Sequence, residues 1–128
     1  MRKGGILHPQ LNRVLAETGH TDYITVADRG FPIPVQVERV DLALTDNLPT
    51  VLDVVRSIHA EFSIDRIILT EEMQSISPKH VEALELALPH IKIVAVPHVQ
   101  FKALSEQSRA VVRTGDTIPY ANVILVSG

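Results

Sequence analysis

Short β-branched runs alternate with amphipathic stretches along nearly the whole chain, and this alternation restricts the fold more than any other feature. Pro9 to Thr18 carries Leu11, Val14 and Leu15 at helical spacing, with Pro9 at the start and Gly19 just past the end. Tyr23 to Ala27 predicts a short strand running into Asp28-Arg29-Gly30. Phe31-Pro32-Ile33-Pro34 can continue neither helix nor strand and predicts a stiff loop. Val40 to Leu44 is a second strand candidate. Pro49 opens a helix that puts Val51, Leu52, Val55, Ile58 and Phe62 on one face. Arg66 to Leu69 is a third strand, nearly continuous in apolar residues, as buried parallel strands are. Ser77-Pro78 is an N-cap and first-turn pair before Val81, Leu84, Leu86 and Leu88. Ile91 to Val96 is the fourth strand, and His98 to Gln107 a short helix. Ala110 to Arg113 and Val123 to Val126 are two further strands with no helix between them. The expected architecture is a three-layer α/β/α sandwich on a mainly parallel sheet of about six strands. The short last connection lets one of the final two strands run antiparallel, which would make the sheet mixed.

Composition narrows the function. The 128 residues amount to one domain, 1–128. Apolar residues make up 45% but aromatics only 4%, so the surplus is aliphatic and points to apolar area shared between subunits. There is no cysteine, which excludes disulfides, thiolate metal sites and cysteine nucleophiles and fits a cytoplasmic location. Met1 to Pro9 has no signal-like apolar core, and no run approaches membrane-spanning length. A net charge of −3 with scattered Lys and Arg offers no nucleic-acid footprint. Dinucleotide, P-loop, zincin and serine-elbow motifs are missing, so no cofactor is expected. No pair among the six histidines has metal-ligand spacing on one helix face; no metal is expected. His59, His80 and His90 read as surface residues, and Glu71-Glu72 as carboxylates near a helix start.

Three polar stretches remain: Gly19-His20-Thr21-Asp22 with Asp28 to Pro34, Pro97 to Lys102, and Pro119-Tyr120-Ala121-Asn122. Asp28 and His98 each follow a strand, where open α/β sheets hold ligand groups. His98 and Lys102 share a helix face at i, i+4. Each residue also has a plain structural reading: His20 as a C-cap, Asp28 as a turn former, Tyr120 as an interface anchor. Taken together, Gly19-His20-Thr21-Asp22, Asp28-x-Gly30-x-Pro32-Ile33-Pro34, Asp41-x-Ala43-Leu44, His98-x-x-Phe101-Lys102, Arg113-Thr114-Gly115 and Pro119-Tyr120-Ala121-Asn122 resemble the D-ribose pyranase family, which also contains the L-fucose mutarotases. The likeness runs from Lys3-Gly4 to the last strand, and Gly30-Phe31-Pro32-Ile33-Pro34 is closer to the ribose branch. Arg29 stands where a small residue is expected.

The resemblance implies a cofactor-independent isomerase that interconverts the pyranose and furanose forms of D-ribose. It implies His20 as the proton-transferring group, Asp28, His98, Tyr120 and Asn122 as sugar ligands, and Lys102 beside them. It also implies a ring-shaped homo-oligomer, a decamer of two stacked pentamers. Ring opening needs an acid–base group and convergent hydrogen bonds, and histidine starts with a pKa near neutrality. A non-catalytic sugar-binding accessory protein and an L-fucose mutarotase are the alternatives. Position along the chain raises a difficulty. His20 precedes the first strand and Asp28 follows it, so a five-residue strand would hold them roughly 16 Å apart. Likewise, His98 and Lys102 follow a strand, while Tyr120 and Asn122 precede one. Either the last strand is antiparallel, or the site is shared by two subunits in a head-to-tail ring; the shared site is the favoured expectation.

Overall fold

The computed structural model describes residues 1–128, which form α1 (Pro9–Glu17), β1 (Tyr23–Ala27), β2 (Glu38–Asp41), α2 (Val51–His59), β3 (Ile64–Thr70), α3 (Glu71–Ile76), α4 (Pro78–Ala87), β4 (Lys92–Val96), α5 (His98–Ser105), β5 (Ser108–Arg113) and β6 (Val123–Ser127). All six strands belong to one sheet in the order β2-β5-β1-β6-β3-β4. Five run parallel, and β6 lies antiparallel between β1 and β3. The expected α/β sandwich is present, and its sheet is mixed. The stretch 114–122 crosses the carboxyl end of β1 and turns straight back. A parallel return would need a crossover of a dozen or more residues.

Alternation along the strands divides the core between two faces. Ile24, Val26, Ile67, Leu69, Val112 and Leu125 pack against Leu11 and Val14 of α1, Val51, Val54, Val55 and Ile58 of α2, Met73 of α3 and Leu84 of α4. Ala27, Ile68, Val111, Ile124 and Val126 face the other way, onto Phe101 of α5 and the loop residues Phe31 and Val37. That second layer is thin, a single helix and a proline loop. Thr25 and Ser108 are buried side by side but bond each other at 2.7 Å, so neither hydroxyl is left unpaired. The Thr50/Asp53 capping box starts α2.

Three local expectations shift. The second strand is Glu38–Asp41 rather than Val40–Leu44, because the Asp41 carboxylate takes the Ala43 N–H and Leu44 closes a tight turn onto Leu48. Phe62 lies beyond the end of α2 but still packs, partly buried, against the core that Val51, Val55 and Ile58 form, whereas Leu86 is exposed on α4. Ser77 does occupy the N-cap position of α4, but its hydroxyl caps nothing there. It donates instead to the Pro119 carbonyl at 2.9 Å.

Candidate active site

The antiparallel β6 brings the start of one strand beside the end of another. Val123 pairs with Val26, so Asn122 stands next to Asp28 at the carboxyl edge of β1. The Asp28 N–H donates to Asn122 Oδ1 at 2.7 Å. The half-buried Asp28 carboxylate accepts the Gly30 N–H at 2.9 Å and is also bonded by the Phe31 amide. Its pKa is raised. Burial is the main cause and the nearby Asp116 charge adds to it, while the bonds from Gly30, Asn122 and Phe31 act against it.

His98 opens α5 at the same edge, directly after β4. Its ring stacks on Phe101 at 6.5 Å and meets the Tyr120 ring edge-on at 5.2 Å. Phe101 in turn packs edge-on against Phe31 at 6.0 Å, tying the Asp28 loop to α5. Tyr120 adopts φ 57, a left-handed conformation that costs a non-glycine residue about 1–2 kcal/mol. Contacts on both sides of it hold that conformation. Ser77 bonds the Pro119 carbonyl, and the His80 ring faces the Ala121 carbonyl.

Asp116, fully buried, anchors the loop from beneath. Its two carboxylate oxygens accept the N–H of Val51, the first residue of α2, at 2.9 Å and that of Ile118 at 2.8 Å. Gly115 has no Cβ for a steric reason, since one would collide with the Thr45 carbonyl oxygen. His80 corrects the surface reading of that residue. It is only 6% exposed, because it sits beside Val81 and one turn before Leu84 on the face of α4 that packs inward. Burial lowers its pKa, and the Asp116 charge and Ala121 carbonyl oppose that shift. Sequence reasoning missed Asp116, His80 and Ser77 as supports, and no local pattern marks them. Glu72 carried a usable signal, its place directly behind a parallel strand's carboxyl end. It accepts the His98 N–H with both oxygens, at 3.1 and 3.2 Å.

Asp28, His98, Tyr120 and Asn122 therefore converge within one chain. Lys102 lies one turn along α5 from His98, exposed. His20 does not join them. It precedes β1 at the opposite edge, where Thr21 N–H bonds the Ser127 carbonyl at the far end of β6. The imidazole is exposed there. The antiparallel last strand thus reunites Tyr120 and Asn122 with Asp28 and leaves His20 across the sheet. Arg29 pairs with Asp46 at 2.8 Å on the surface.

A carboxylate, an imidazole, a phenol and a carboxamide at the carboxyl edge of an α/β sheet form the kind of site that suits a small ligand rich in hydrogen-bonding groups. No group of three His, Asp or Glu side chains is arranged to hold a metal ion, and no helix is long and apolar enough to cross a membrane. The chain belongs to the RbsD / FucU transport protein family, whose model matches residues 1–128. A D-ribose pyranase of Laribacter hongkongensis is 48% identical over 128 residues, covering 100% of this chain and 98% of that protein. A D-ribose pyranase of Geobacillus kaustophilus is 44% identical, covering 100% and 94%. The structure of Bacillus subtilis RbsD complexed with D-ribose matches with a TM-score of 0.95 at 37% identity, covering 100% of this chain and 98% of that one. FucU from Bifidobacterium longum, at 22% identity and a TM-score of 0.77, shares the fold and covers 95% of each chain.

Proposed function

We propose that this chain, with residues 1–128 as a single domain, is a D-ribose pyranase: an isomerase that interconverts the β-pyranose and β-furanose forms of D-ribose without a cofactor. The observation that carries the reading is the convergence of Asp28, His98, Tyr120 and Asn122 at one sheet edge, in a chain 44% and 48% identical to D-ribose pyranases over its full length. In the reaction the anomeric hydroxyl loses a proton while the ring oxygen gains one, opening the hemiacetal. The aldehyde rotates, and a different hydroxyl closes on the same carbon. Atoms and electrons balance within the sugar, so the protein supplies only proton transfer and positioning. A positioned imidazole typically contributes about 10²–10⁴-fold. Asp28 accepts from sugar hydroxyls, and Asn122, Tyr120, His98 and Lys102 complete the grip.

His20 is the proton-transferring group in this reading, and it reaches the sugar from a neighbouring subunit. Its position across the sheet from the other ligands supports a shared site. So do exposed aliphatic side chains on loops and helix ends: Leu44, Leu48, Ile76, Val99 and Ile118. Exposed aliphatic area of this kind belongs at a subunit contact. A head-to-tail ring repeats that contact, and two stacked pentamers form the proposed assembly. The proposed compartment is the cytoplasm.

Exchange NMR on the anomeric signals of D-ribose tests the activity. Wild type is expected to accelerate pyranose–furanose exchange, and His20→Ala to keep ribose binding while losing the acceleration. Equal rates in wild type, variant and buffer would overturn catalysis and leave a sugar-binding accessory protein. The same measurement with L-fucose separates the ribose from the fucose reading.

A further inference from the structure

We infer that Glu72 is a positioning residue for the sugar site: it fixes the first residue of α5 and thereby the direction in which the His98 ring meets the ligand. The inference rests on the assignment of His98 to the sugar site. α5 begins without a cap of its own, since Pro97 occupies the N-cap position and has no side-chain acceptor. The missing acceptor comes from another element. Glu72, in the first turn of α3, reaches across and takes the His98 N–H on both carboxylate oxygens, at 3.1 and 3.2 Å. A carboxylate bonded to a free N–H at a helix N-terminus is favoured twice, by the charged hydrogen bond and by the helix dipole.

The His98 side chain has no comparable tether. Its Nδ1 is buried and has no hydrogen-bond partner. Its orientation comes from ring contacts with Phe101 and Tyr120. With Nδ1 enclosed, Nε2 is the nitrogen left to meet a sugar hydroxyl. Those contacts set the ring relative to the backbone at residue 98, whose placement carries Nε2 with it, and Glu72 is the group that holds this backbone from outside the helix. The link also joins two strand ends, because α3 continues β3 and α5 follows β4, its parallel neighbour.

Three substitutions separate reach, charge and mere packing. Glu72→Ala removes the acceptor. Glu72→Asp keeps the charge but withdraws the oxygens by one methylene, and Glu72→Gln keeps an oxygen at the original reach without the charge. A single hydrogen bond of ordinary strength corresponds to at most about a tenfold change in binding. The expected result is a KM for D-ribose raised about tenfold in Glu72→Ala and Glu72→Asp with kcat little changed, and largely restored in Glu72→Gln. The His98 ring signals, followed by heteronuclear NMR without ligand, are expected to move in the first two variants and return in the third. Variants that melt at a lower temperature but keep the wild-type KM and His98 signals would overturn the inference, leaving Glu72 a packing contact. A pattern in which Glu72→Asp behaves as wild type and Glu72→Gln does not would overturn it as well, in favour of charge alone. Should wild type fail to accelerate ribose exchange, the ribose reading falls, and the ligand-free His98 signals still decide the role of Glu72.

Discussion

Asp28 carries charge where the fold makes charge expensive. Burial raises its pKa above 3.8 and Asp116 adds repulsion, so the folded protein holds the Asp28 proton more tightly than the unfolded chain does. The sign follows from linkage: a raised folded pKa means stability is lost as pH rises through the window above 3.8, and recovered as pH falls below it. Asp28→Asn keeps the size and removes the charge. It is expected to melt at or slightly above the wild-type temperature at pH 7, with that advantage shrinking toward pH 4, while ribose binding is lost at both. Thermal melts at the two pH values together with ribose titration check this. A variant less stable than wild type at pH 7 would show that the hydrogen bonds to the carboxylate outweigh its burial. The candidate site residues were legible in the sequence, because Asp28 and His98 follow recognisable strands and the wording around them is distinctive. Asp116 and His80 were not, since nothing local to Gly115-Asp116-Thr117 or Lys79-His80-Val81 reveals that a neighbouring element buries them.

At the level of elements, α4 and the 114–122 loop form one unit. Ser77 and His80, both in or before the first turn of α4, face the carbonyls on either side of Tyr120. Ser77→Ala removes the bond to Pro119 and is expected to cost about 0.5–1.5 kcal/mol of stability. Its larger effect falls on ribose affinity, because Tyr120 loses one of the supports for its left-handed backbone. Denaturant unfolding and ribose titration of the same sample distinguish the two effects; unchanged affinity would mean that Asp116 and His80 hold the loop without Ser77. The regular elements were legible because hydrophobic period decides them. β1 has the predicted bounds, and α1, β4 and β6 differ from theirs by a single residue at one end. β2 slid toward the N-terminus because the Asp41 side chain competes for the next backbone N–H, a choice that hydropathy does not record. Of α3 only the acidic start at Glu71-Glu72 was legible, because its six residues are too few to display a period.

On the scale of the whole molecule, the decisive fact is that one sheet separates His20 from Asp28. The antiparallel β6 solved half of the difficulty visible in the sequence by returning Asn122 to the edge that Asp28 occupies. It could not solve the other half, since His20 and Asp28 flank the same strand and no choice of strand direction brings its two ends together. A subunit neighbour can, and the aliphatic surplus in the composition has exposed members in Leu44, Leu48, Val99 and Ile118. This arrangement has a consequence that a self-contained site lacks. His20→Ala and Asp28→Asn are each expected to be inactive, but they damage opposite edges of the protomer. In a ring assembled from equal amounts of the two, a site is intact when an Asp28→Asn protomer lends its His20 to a His20→Ala protomer that keeps its Asp28. Random order around a head-to-tail ring makes about a quarter of the sites intact. Co-refolded mixtures should therefore regain about a quarter of wild-type ribose exchange, whereas the separately refolded variants combined afterward should stay inactive until subunits exchange. If the co-refolded mixture remains as inactive as either variant alone, both groups act within one chain, and the subunit-shared site is wrong.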